Sequence, residues 1–508
     1  MRPGLRFALT GLLATAAGIA VAELMAAATR PAAGPVVAVG GAVIDATPTP
    51  VKEYAVATFG TWDKPLLLTG IALALAALAA GVGVLAGRRP RLGPAGAALF
   101  GVLGAAAALS RPAAAWVDAL PSLCGAMVAA GALAVLTARA REPAEVPVDV
   151  GAGRPPRLLD RRTFLGAAAL IASGTAVVGG GAAAVRRVSG GAAGRSRLAV
   201  RLPAPADPAP PLPTGLQPGF LTPNADFYRV DTALTVPQVD LDSWRLRIGG
   251  MVDRPLTLSF ADLLARPLLE RHITLNCVSN EVGGPYIGTA RWLGAALAPL
   301  LREAGVQAGA DQLVARSVEG MTIGTPVAAL LDGRDAMLCV GMNGEPLPLE
   351  HGFPVRMLTP GLYGYAGACK WVQELELTTF DDFDAYWVRR DWAPRAPVKT
   401  ASRIDRPAPL ATLPPGPTTV AGVAWAQGRG IRAVEVQVDD GPWQAATLAP
   451  VPSTDTWVQW RYPWAATPGL HRLQVRATDG TGAAQTAARV SPFPDGATGW
   501  HGITVTVA

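Results

Sequence analysis

The residues best suited to chemistry stand in one stretch, Arg271-His272-Ile273-Thr274-Leu275-Asn276-Cys277-Val278-Ser279-Asn280-Glu281. It reads as a short strand. Ile273, Leu275 and Cys277 share one face by period-two alternation, and His272, Thr274 and Asn276 share the other. Past Cys277 the pattern breaks and Gly283-Gly284-Pro285 follows as a loop. A cysteine at the end of a buried strand, opening into a glycine-rich loop, is either an inert core thiol or a metal ligand. Free cysteine is more often a small buried hydrophobe, and spacing alone does not decide.

Few other residues compete for a metal or redox role. The four histidines are His272, His351, His471 and His501. None precedes residue 201, which excludes a bis-histidine haem between apolar helices of the N-terminal part. The four cysteines contain no CxxC pair. Cys124 lies in an apolar run and reads as packing. Cys339 and Cys369 could pair in an oxidising compartment.

The elements around the stretch mix strand and helix. Trp244-Arg245-Leu246-Arg247-Ile248 alternates as a half-exposed strand. Ser259 can cap a helix through Phe260-Ala261-Asp262-Leu263-Leu264. Trp292 to Glu303 carries a helical apolar period through Leu293, Ala296, Leu297, Leu300 and Leu301. After residue 398 the pattern is all strand: Val434, Val436 and Val438, then Val458, Trp460 and Tyr462, then Leu473, Val475 and Ala477, then Ile503, Val505 and Val507. Asp440-Gly441 and Asp479-Gly480 mark turns. Strands at this spacing suggest an immunoglobulin-like sandwich, in which His471 and His501 are structural.

The chain of 508 residues is half hydrophobic and 16% charged, so membrane segments are expected. Five apolar runs are long enough to span, at about 7–28, 65–87, 93–110, 113–137 and 163–185. In the second, Ala76, Ala77, Ala79 and Ala80 are either close-packing residues or lipid-facing filler. The first run, behind Arg2 and Arg6, reads as a span or a cleaved signal peptide; it exceeds the usual signal core of about 7–15 residues. Residues 1–200 hold 19 Lys/Arg against 9 Asp/Glu, and residues 201–508 hold 25 against 29. The positive charge is thus a topology signal and not a nucleic-acid surface. Arg2 and Arg6, then Arg88, Arg89 and Arg91, then Arg139, Arg141, Arg154, Arg157, Arg161 and Arg162 mark the inner side. Everything after the fifth run then lies outside the cytoplasm, although Arg186, Arg187, Arg195 and Arg197 oppose this. Glu23, inside the first run, requires a partner or a wet cavity. The loop Val51-Lys52-Glu53-Tyr54-Ala55-Val56-Ala57-Thr58-Phe59-Gly60-Thr61 is a connection or a docking segment. Asp160-Arg161-Arg162-Thr163-Phe164-Leu165 is either an inside-positive flank or a twin-arginine export signal.

The Arg271–Glu281 stretch does not stand alone. Ala290-Arg291-Trp292-Leu293-Gly294, Met342-Asn343-Gly344-Glu345-Pro346-Leu347-Pro348 and His351-Gly352-Phe353-Pro354-Val355-Arg356 follow it, then Pro360-Gly361 and Lys370-Trp371. In this order the segments resemble the sulfite oxidase family of molybdopterin enzymes, over roughly residues 220–508. The resemblance implies a multi-domain protein. A transmembrane helical bundle of about five helices (1–187) and a Pro-rich linker (188–218) precede an α+β molybdopterin domain (219–397). An immunoglobulin-like β-sandwich of dimerisation type (398–508) closes the chain.

It also implies roles. Cys277 supplies a thiolate to molybdenum beside the two dithiolene sulfurs of molybdopterin. Arg356 and Lys370 meet the cofactor phosphate as a planar fork and a point charge, and His351 meets the pterin rim. In Pro223-Asn224-Ala225-Asp226-Phe227-Tyr228-Arg229, the residues Asn224, Phe227 and Tyr228 lie across the cofactor. Ser317 offers a hydroxyl, and Ala368 and Cys369 offer backbone groups. The chemistry implied is two-electron oxygen-atom transfer on a small sulfur compound, sulfite or a sulfoxide. Electrons pass to or from a separate carrier, a quinone or a cytochrome. The remaining partners implied are membrane lipid and a second copy of the chain.

Two departures bear on the substrate. Sulfite-oxidising members carry a tyrosine just before Met-Asn-Gly, where this chain has Val340-Gly341. They carry Arg-Asn-His where this chain has Arg229-Val230-Asp231. Arg229 or Arg291 is then left to meet an anionic substrate as the catalytic cation. The rival reading is a non-catalytic binding or assembly protein on the same scaffold, which the presence of Cys277 opposes.

Overall fold

The computed structural model describes residues 3–48, 51, 54–55, 58–59, 62–112, 114–141 and 159–508. Arg2, Arg154, Arg157 and the loop residues Lys52, Glu53, Val56, Ala57, Gly60 and Thr61 lie outside the described residues, as do the side chains of Arg161 and Arg162. The chain divides into two compact units, Met1–Ala192 with Asp231–Val236, and Ala193–Val230 with Pro237–Ala508.

The first unit is helical: α1 (Pro3–Ala28), α2 (Pro35–Ala46), α3 (Asp63–Arg88), α4 (Leu92–Leu109), α5 (Leu120–Ala140) and α6 (Leu159–Ala199). Among the described residues five helices are long and apolar enough to cross a membrane: Gly4–Ala28, Lys64–Arg88, Leu92–Leu109, Trp116–Ala140 and Phe164–Ala199. Small residues let their backbones meet. A Cβ on Gly11 would fall 2.0 Å from the Ala79 carbonyl oxygen, and one on Gly18 would fall 2.4 Å from that of Gly125. Ala79 is buried and Ala80 half-buried while Ala76 and Ala77 are exposed, so part of the small stripe packs and part does not.

Among the described residues, three carboxylates of this unit are ion-paired, as burial in apolar surroundings favours. Glu23 accepts from Arg186 at 2.7 Å, Asp118 from Arg30 at 2.6 Å and Asp45 from Arg111 at 2.6 Å. Two features differ from the sequence expectation. The apolar helix α2 occupies the expected first loop. Helix also continues through Ala199 where a linker is expected from 188, because Gly and Ala in that stretch do not break an otherwise uninterrupted run without proline.

In the second unit ten strands come first: β1 (Arg245–Gly250), β2 (Leu256–Ser259), β3 (Leu268–Asn276), β4 (Ile287–Ala296), β5 (Gln312–Ser317), β6 (Thr322–Pro326), β7 (Met337–Met342), β8 (Glu345–Pro346), β9 (Arg356–Leu358) and β10 (Val372–Thr378). They form one sheet of order β2-β1-β10-β5-β6 and another of order β3-β4-β7-β8, with β9 also on β7. Short helices α7 (Phe260–Leu264), α8 (Leu297–Ala304), α9 (Val327–Leu331) and α10 (Gly364–Gly367) lie between them. This is an α+β arrangement. Ser259 caps α7 as expected, its hydroxyl accepting from the Asp262 amide at 3.1 Å. The helix expected from Trp292 starts only at Leu297. Residues Trp292 to Ala296 are held as strand by pairing with Met342 to Met337 on β7, which overrides their helical periodicity.

Nine further strands close the chain: β11 (Ala401–Arg406), β12 (Thr412–Leu413), β13 (Gly416–Trp425), β14 (Ile431–Val438), β15 (Gln444–Ala445), β16 (Thr447–Leu448), β17 (Val458–Ala466), β18 (Gly469–Asp479) and β19 (His501–Val507). Two sheets, β11-β13-β17-β16 and β12-β19-β18-β14-β15, enclose one core of Val420, Trp460, Val436, Val475 and Val505. The predicted alternation appears in the register, with Val436 opposite Val475.

Thr274 of β3 joins these strands to the β3-β4-β7-β8 sheet. Its amide donates to the Asp455 carbonyl at 2.9 Å, its carbonyl accepts from Gln427 Nε2 at 3.1 Å, and its hydroxyl accepts from the Trp457 amide at 2.7 Å. Thr274→Val keeps the shape and leaves the buried Trp457 N–H without an acceptor. It should cost roughly 1–3 kcal/mol, read as a lower thermal midpoint of the purified full chain against wild type.

Candidate functional site

Strand β3 ends at Asn276, and Cys277 is the first residue past it. The ladder runs one bond further, from the Cys277 amide to the Tyr286 carbonyl at 3.0 Å. Ile273 and Leu275 share a core with Phe227, Trp292 and Cys339, and alternation turns Cys277 to that same side. The thiol is buried. Burial pushes its pKa up, and hydrogen bonds from Ser279 pull the other way without offsetting it. Beside it, the buried Asn276 carries a side-chain oxygen with no hydrogen-bond partner among the described residues.

The Asn224–Tyr228 segment covers this face. Phe227 stacks on Tyr228 at 5.3 Å between ring centroids, and meets Trp292 edge-on at 5.8 Å and His351 edge-on at 5.7 Å. The Tyr228 phenol lies within electrostatic reach of both the Cys277 thiol and the Arg356 guanidinium. Burial raises its pKa first, and it is a neutral hydroxyl donor at any physiological pH. Asn224 is tied on three sides. Its amide nitrogen donates to Glu345 Oε1 at 2.6 Å, its amide oxygen accepts from Asn343 at 2.9 Å, and its carbonyl accepts from His351 Nε2 at 2.9 Å. That last bond places the proton of the neutral imidazole on Nε2 and leaves Nδ1 an acceptor. Burial pushes His351 down to about 4, with Arg356 and Lys370 adding to the shift and the Asn224 bond opposing it.

Arg356 and Lys370 converge at Gly352. Gly352 has φ +112°, and a Cβ there would lie 3.2 Å from both the Arg356 and Lys370 side-chain stems. Glycine is therefore required twice over, by backbone conformation and by space. Arg356 lies over the Trp292 ring at 5.3 Å and Lys370 over the Trp371 ring at 4.7 Å. Ser317 ends β5 beside them, since the Val318 amide donates to the Trp371 carbonyl at 2.9 Å. The Ser317 hydroxyl accepts from the Met321 amide at 3.0 Å. Ala368 is buried in the core around Trp292, and the Cys369 carbonyl accepts from the Met357 amide at 2.8 Å. Cys339 and Cys369 are both free thiols.

Two expected residues are not brought to the thiol. Arg229 is exposed. Arg291 pairs across the ladder with His272, so it projects on the side opposite Ile273 and Leu275, where it meets Glu270 at 3.3 Å. With His272 and Asn343 it lines a separate cleft of about 400 Å³. Strand alternation thus removes Arg291 from the face that a substrate at Cys277 would use. Sequence reasoning passed over Asn343, Glu345, Tyr286 and Tyr363. Asn343 adopts φ 52° and donates to Asn224 and the Thr222 carbonyl. Tyr363 is a buried phenol in reach of Cys277, pushed up to about 12. For Asn343 and Glu345 the signal was present, inside a quoted motif; for the tyrosines it was not.

Residues 233–387 match the family model of the oxidoreductase molybdopterin-binding domain. Sulfite oxidase of Gallus gallus is 33% identical over 289 residues, which is 47% of this chain and 62% of that protein. The uncharacterized oxidoreductase YuiH of Bacillus subtilis (strain 168) is 32% identical over 153 residues, 30% of this chain and 74% of that protein. The chain belongs to the sulfite oxidase family of molybdopterin oxidoreductases. It spans 51% to 62% of the length of the vertebrate sulfite oxidases it matches. The sulfane dehydrogenase SoxCD of Paracoccus pantotrophus superposes with a TM-score of 0.50 at 23% identity, covering 58% of this chain and 85% of that one, a likeness of fold alone.

Molybdopterin is the cofactor of this family, and the residues at Cys277 fit it. Among the described residues no three His, Cys, Asp or Glu side chains converge to hold a metal ion. The two cations brought together at Gly352 match a ligand with an anionic end.

His351 gives a pH test. Its ordinary pKa is 6.5 and burial lowers it to about 4 in the folded chain. Between those values only the unfolded chain binds the proton, so the His351 contribution is whole above pH 6.5 and is lost as pH falls toward 4. The gap in thermal midpoint between wild type and His351→Gln should accordingly narrow from pH 7 to pH 4.5. A gap constant over that range would contradict this environment for the imidazole.

Proposed function

We propose that this chain is a membrane-anchored molybdenum oxidoreductase that catalyses two-electron oxygen-atom transfer on a small sulfur compound, sulfite or a sulfoxide. The observation that carries the reading is the buried Cys277 thiol, with the Tyr228 phenol and Arg356 guanidinium in electrostatic reach. When bound, the molybdenum–pterin group supplies exchange of an oxygen atom and two electrons.

The chain's own residues do the rest. Cys277 Sγ would hold the metal as thiolate, since burial alone keeps the proton on sulfur and an adjacent cation would favour its loss. Arg356 and Lys370 hold the phosphate end, one as a planar fork and one as a compact charge. His351 Nδ1 accepts from the pterin edge while Nε2 stays on the Asn224 carbonyl. Ser317, Ala368 and Cys369 border the phosphate side. Phe227 and Tyr228 wall the site against water, and the neutral Tyr228 hydroxyl donates toward the thiolate side. Arg229, exposed on the same segment, is the cation available to an anionic substrate from that side.

The apolar helices support a multi-pass membrane protein with its catalytic part outside the cytoplasm. Arg186, one of the cations that oppose this orientation, is ion-paired with Glu23. We read the C-terminal sandwich as the immunoglobulin-like, dimerisation-type domain of 398–508, and a quinone or cytochrome as the electron carrier.

Two measurements test this. Full-length protein from a host that makes the cofactor should hold about one molybdenum per chain. Cys277→Ser should hold none and lose turnover of sulfite and sulfoxides with artificial electron carriers, with an unchanged circular dichroism spectrum. Full activity of that variant would remove the mechanism. A reporter fused after Ala508 should be active only outside the cytoplasm, and cytoplasmic activity would overturn the orientation.

A further inference from the structure

Arg197 lies in the last turn of α6, and its guanidinium is spent entirely on one short segment. Nε donates to the Leu347 carbonyl at 2.8 Å. Nη2 donates to the Pro346 carbonyl at 2.8 Å and to Glu345 Oε2 at 2.8 Å. The Arg197 side chain is only 16% exposed, while Glu345 is 50% exposed. A half-exposed carboxylate opposite a lysine would hold its rotamer weakly. Here the planar fork fixes both the carboxylate and the backbone beside it.

The second carboxylate oxygen does different work. Glu345 Oε1 accepts from Asn224 Nδ2 at 2.6 Å. One carboxylate therefore joins Arg197 to the first residue of the segment that covers Cys277. Asn224 passes the constraint on through its carbonyl to His351 Nε2, and His351 packs edge-on against Phe227. The Pro346 and Leu347 carbonyls held by Arg197 lie on the strand and turn that lead to His351. Both ends of the Asn224–His351 bond are thus anchored by the same guanidinium. Neither Arg197 nor Glu345 sits among the groups assigned above to the cofactor.

We propose that Arg197 is a positioning residue for the cofactor-binding edge, acting through Glu345 on Asn224 and through the Pro346 and Leu347 carbonyls on His351. The proposal rests on the molybdenum reading for its function, but the bond chain itself does not require the metal. Outer partners of this kind change metal retention by about tenfold or more when removed. The Arg197→Lys variant keeps the charge opposite Glu345 and loses the planar donation to Leu347, so it should rescue in part. Glu345 lies downstream of Arg197 on one of its two arms, so losing both should cost little more than losing Arg197 alone.

The test uses the full-length protein in detergent, as wild type, Arg197→Ala, Arg197→Lys, Glu345→Gln and the Arg197→Ala/Glu345→Gln double variant. Hydrogen exchange by mass spectrometry is read over residues 220–230 and 343–352, with the β13–β19 peptides as control. Molybdenum retained after timed gel filtration and the Mo(V) resonance of the reduced protein are read alongside. Arg197→Ala and Glu345→Gln should speed exchange in both segments but not in the control, lose molybdenum about tenfold faster and alter the Mo(V) signal. The lysine variant should lie between Arg197→Ala and wild type, and the double variant should match Arg197→Ala. Unchanged exchange in those segments would overturn the bond chain. Faster exchange with wild-type molybdenum retention and resonance would overturn its role toward the cofactor. Wild type without molybdenum would instead overturn the proposed function, and the exchange data would still decide the bond chain.

Discussion

A thiol sealed against water at the end of a strand is the constraint on which the site depends. Burial disfavours the thiolate, and nothing in the Ser279 hydrogen bonds compensates for it. Such a sulfur stays protonated and inert, or it meets a cation that makes ionisation favourable. The β3–β4 ladder makes the constraint specific. Its register carries Ile273, Leu275 and Cys277 to the core face, and His272 with Arg291 to the other. A slip of one residue would exchange the two sets and bring an ion-paired arginine to the core in place of the thiol. The hydroxyl of Thr274, bound to Trp457, and the Trp292 indole, donating to the Ile273 carbonyl at 3.2 Å, both oppose that slip.

The positive lobe of the site is built with the same economy. Arg356 and Lys370 come from different elements, β9 and the turn after α10, and Gly352 has no side chain to keep them apart. Each lies against an indole, which screens it from water and fixes its plane or its position. Two cations brought close repel each other and depress the nearby imidazole, as His351 shows. Burial is the first cause of that depression, and the two cations add to it.

Sequence was most informative where side-chain pattern and local chemistry agree. The strand ending at Cys277, the Ser259 cap, the apolar helices and the alternation of β14 and β18 were all legible from periodicity and capping residues. Trp292 to Ala296 were misread because their helical period is outweighed by partners fifty residues on, on β7. Arg291 was misplaced for a related reason. Its residue type suits an anionic substrate, but the face it occupies is set by a ladder register that a linear motif does not state. Among the candidate residues, Asn224, Phe227, Tyr228, His351, Arg356 and Lys370 do converge around the Cys277 face. Tyr363 was invisible, since it comes into electrostatic reach of the thiol from the loop before Gly364.

Tyr228 and Tyr363 alter how the departures from sulfite-oxidising relatives read. The hydroxyl expected before Met-Asn-Gly is replaced by Val340, which is fully buried within β7. Phenols nevertheless lie within electrostatic reach of the thiol from two other segments, through Tyr228 and Tyr363. For Tyr228 and Tyr363 burial holds the proton firmly, so these offer a hydrogen bond and no charge. The thiol face is therefore lined by neutral phenols with the Arg356 guanidinium in reach of Tyr228, while Arg229 stands exposed on the covering segment.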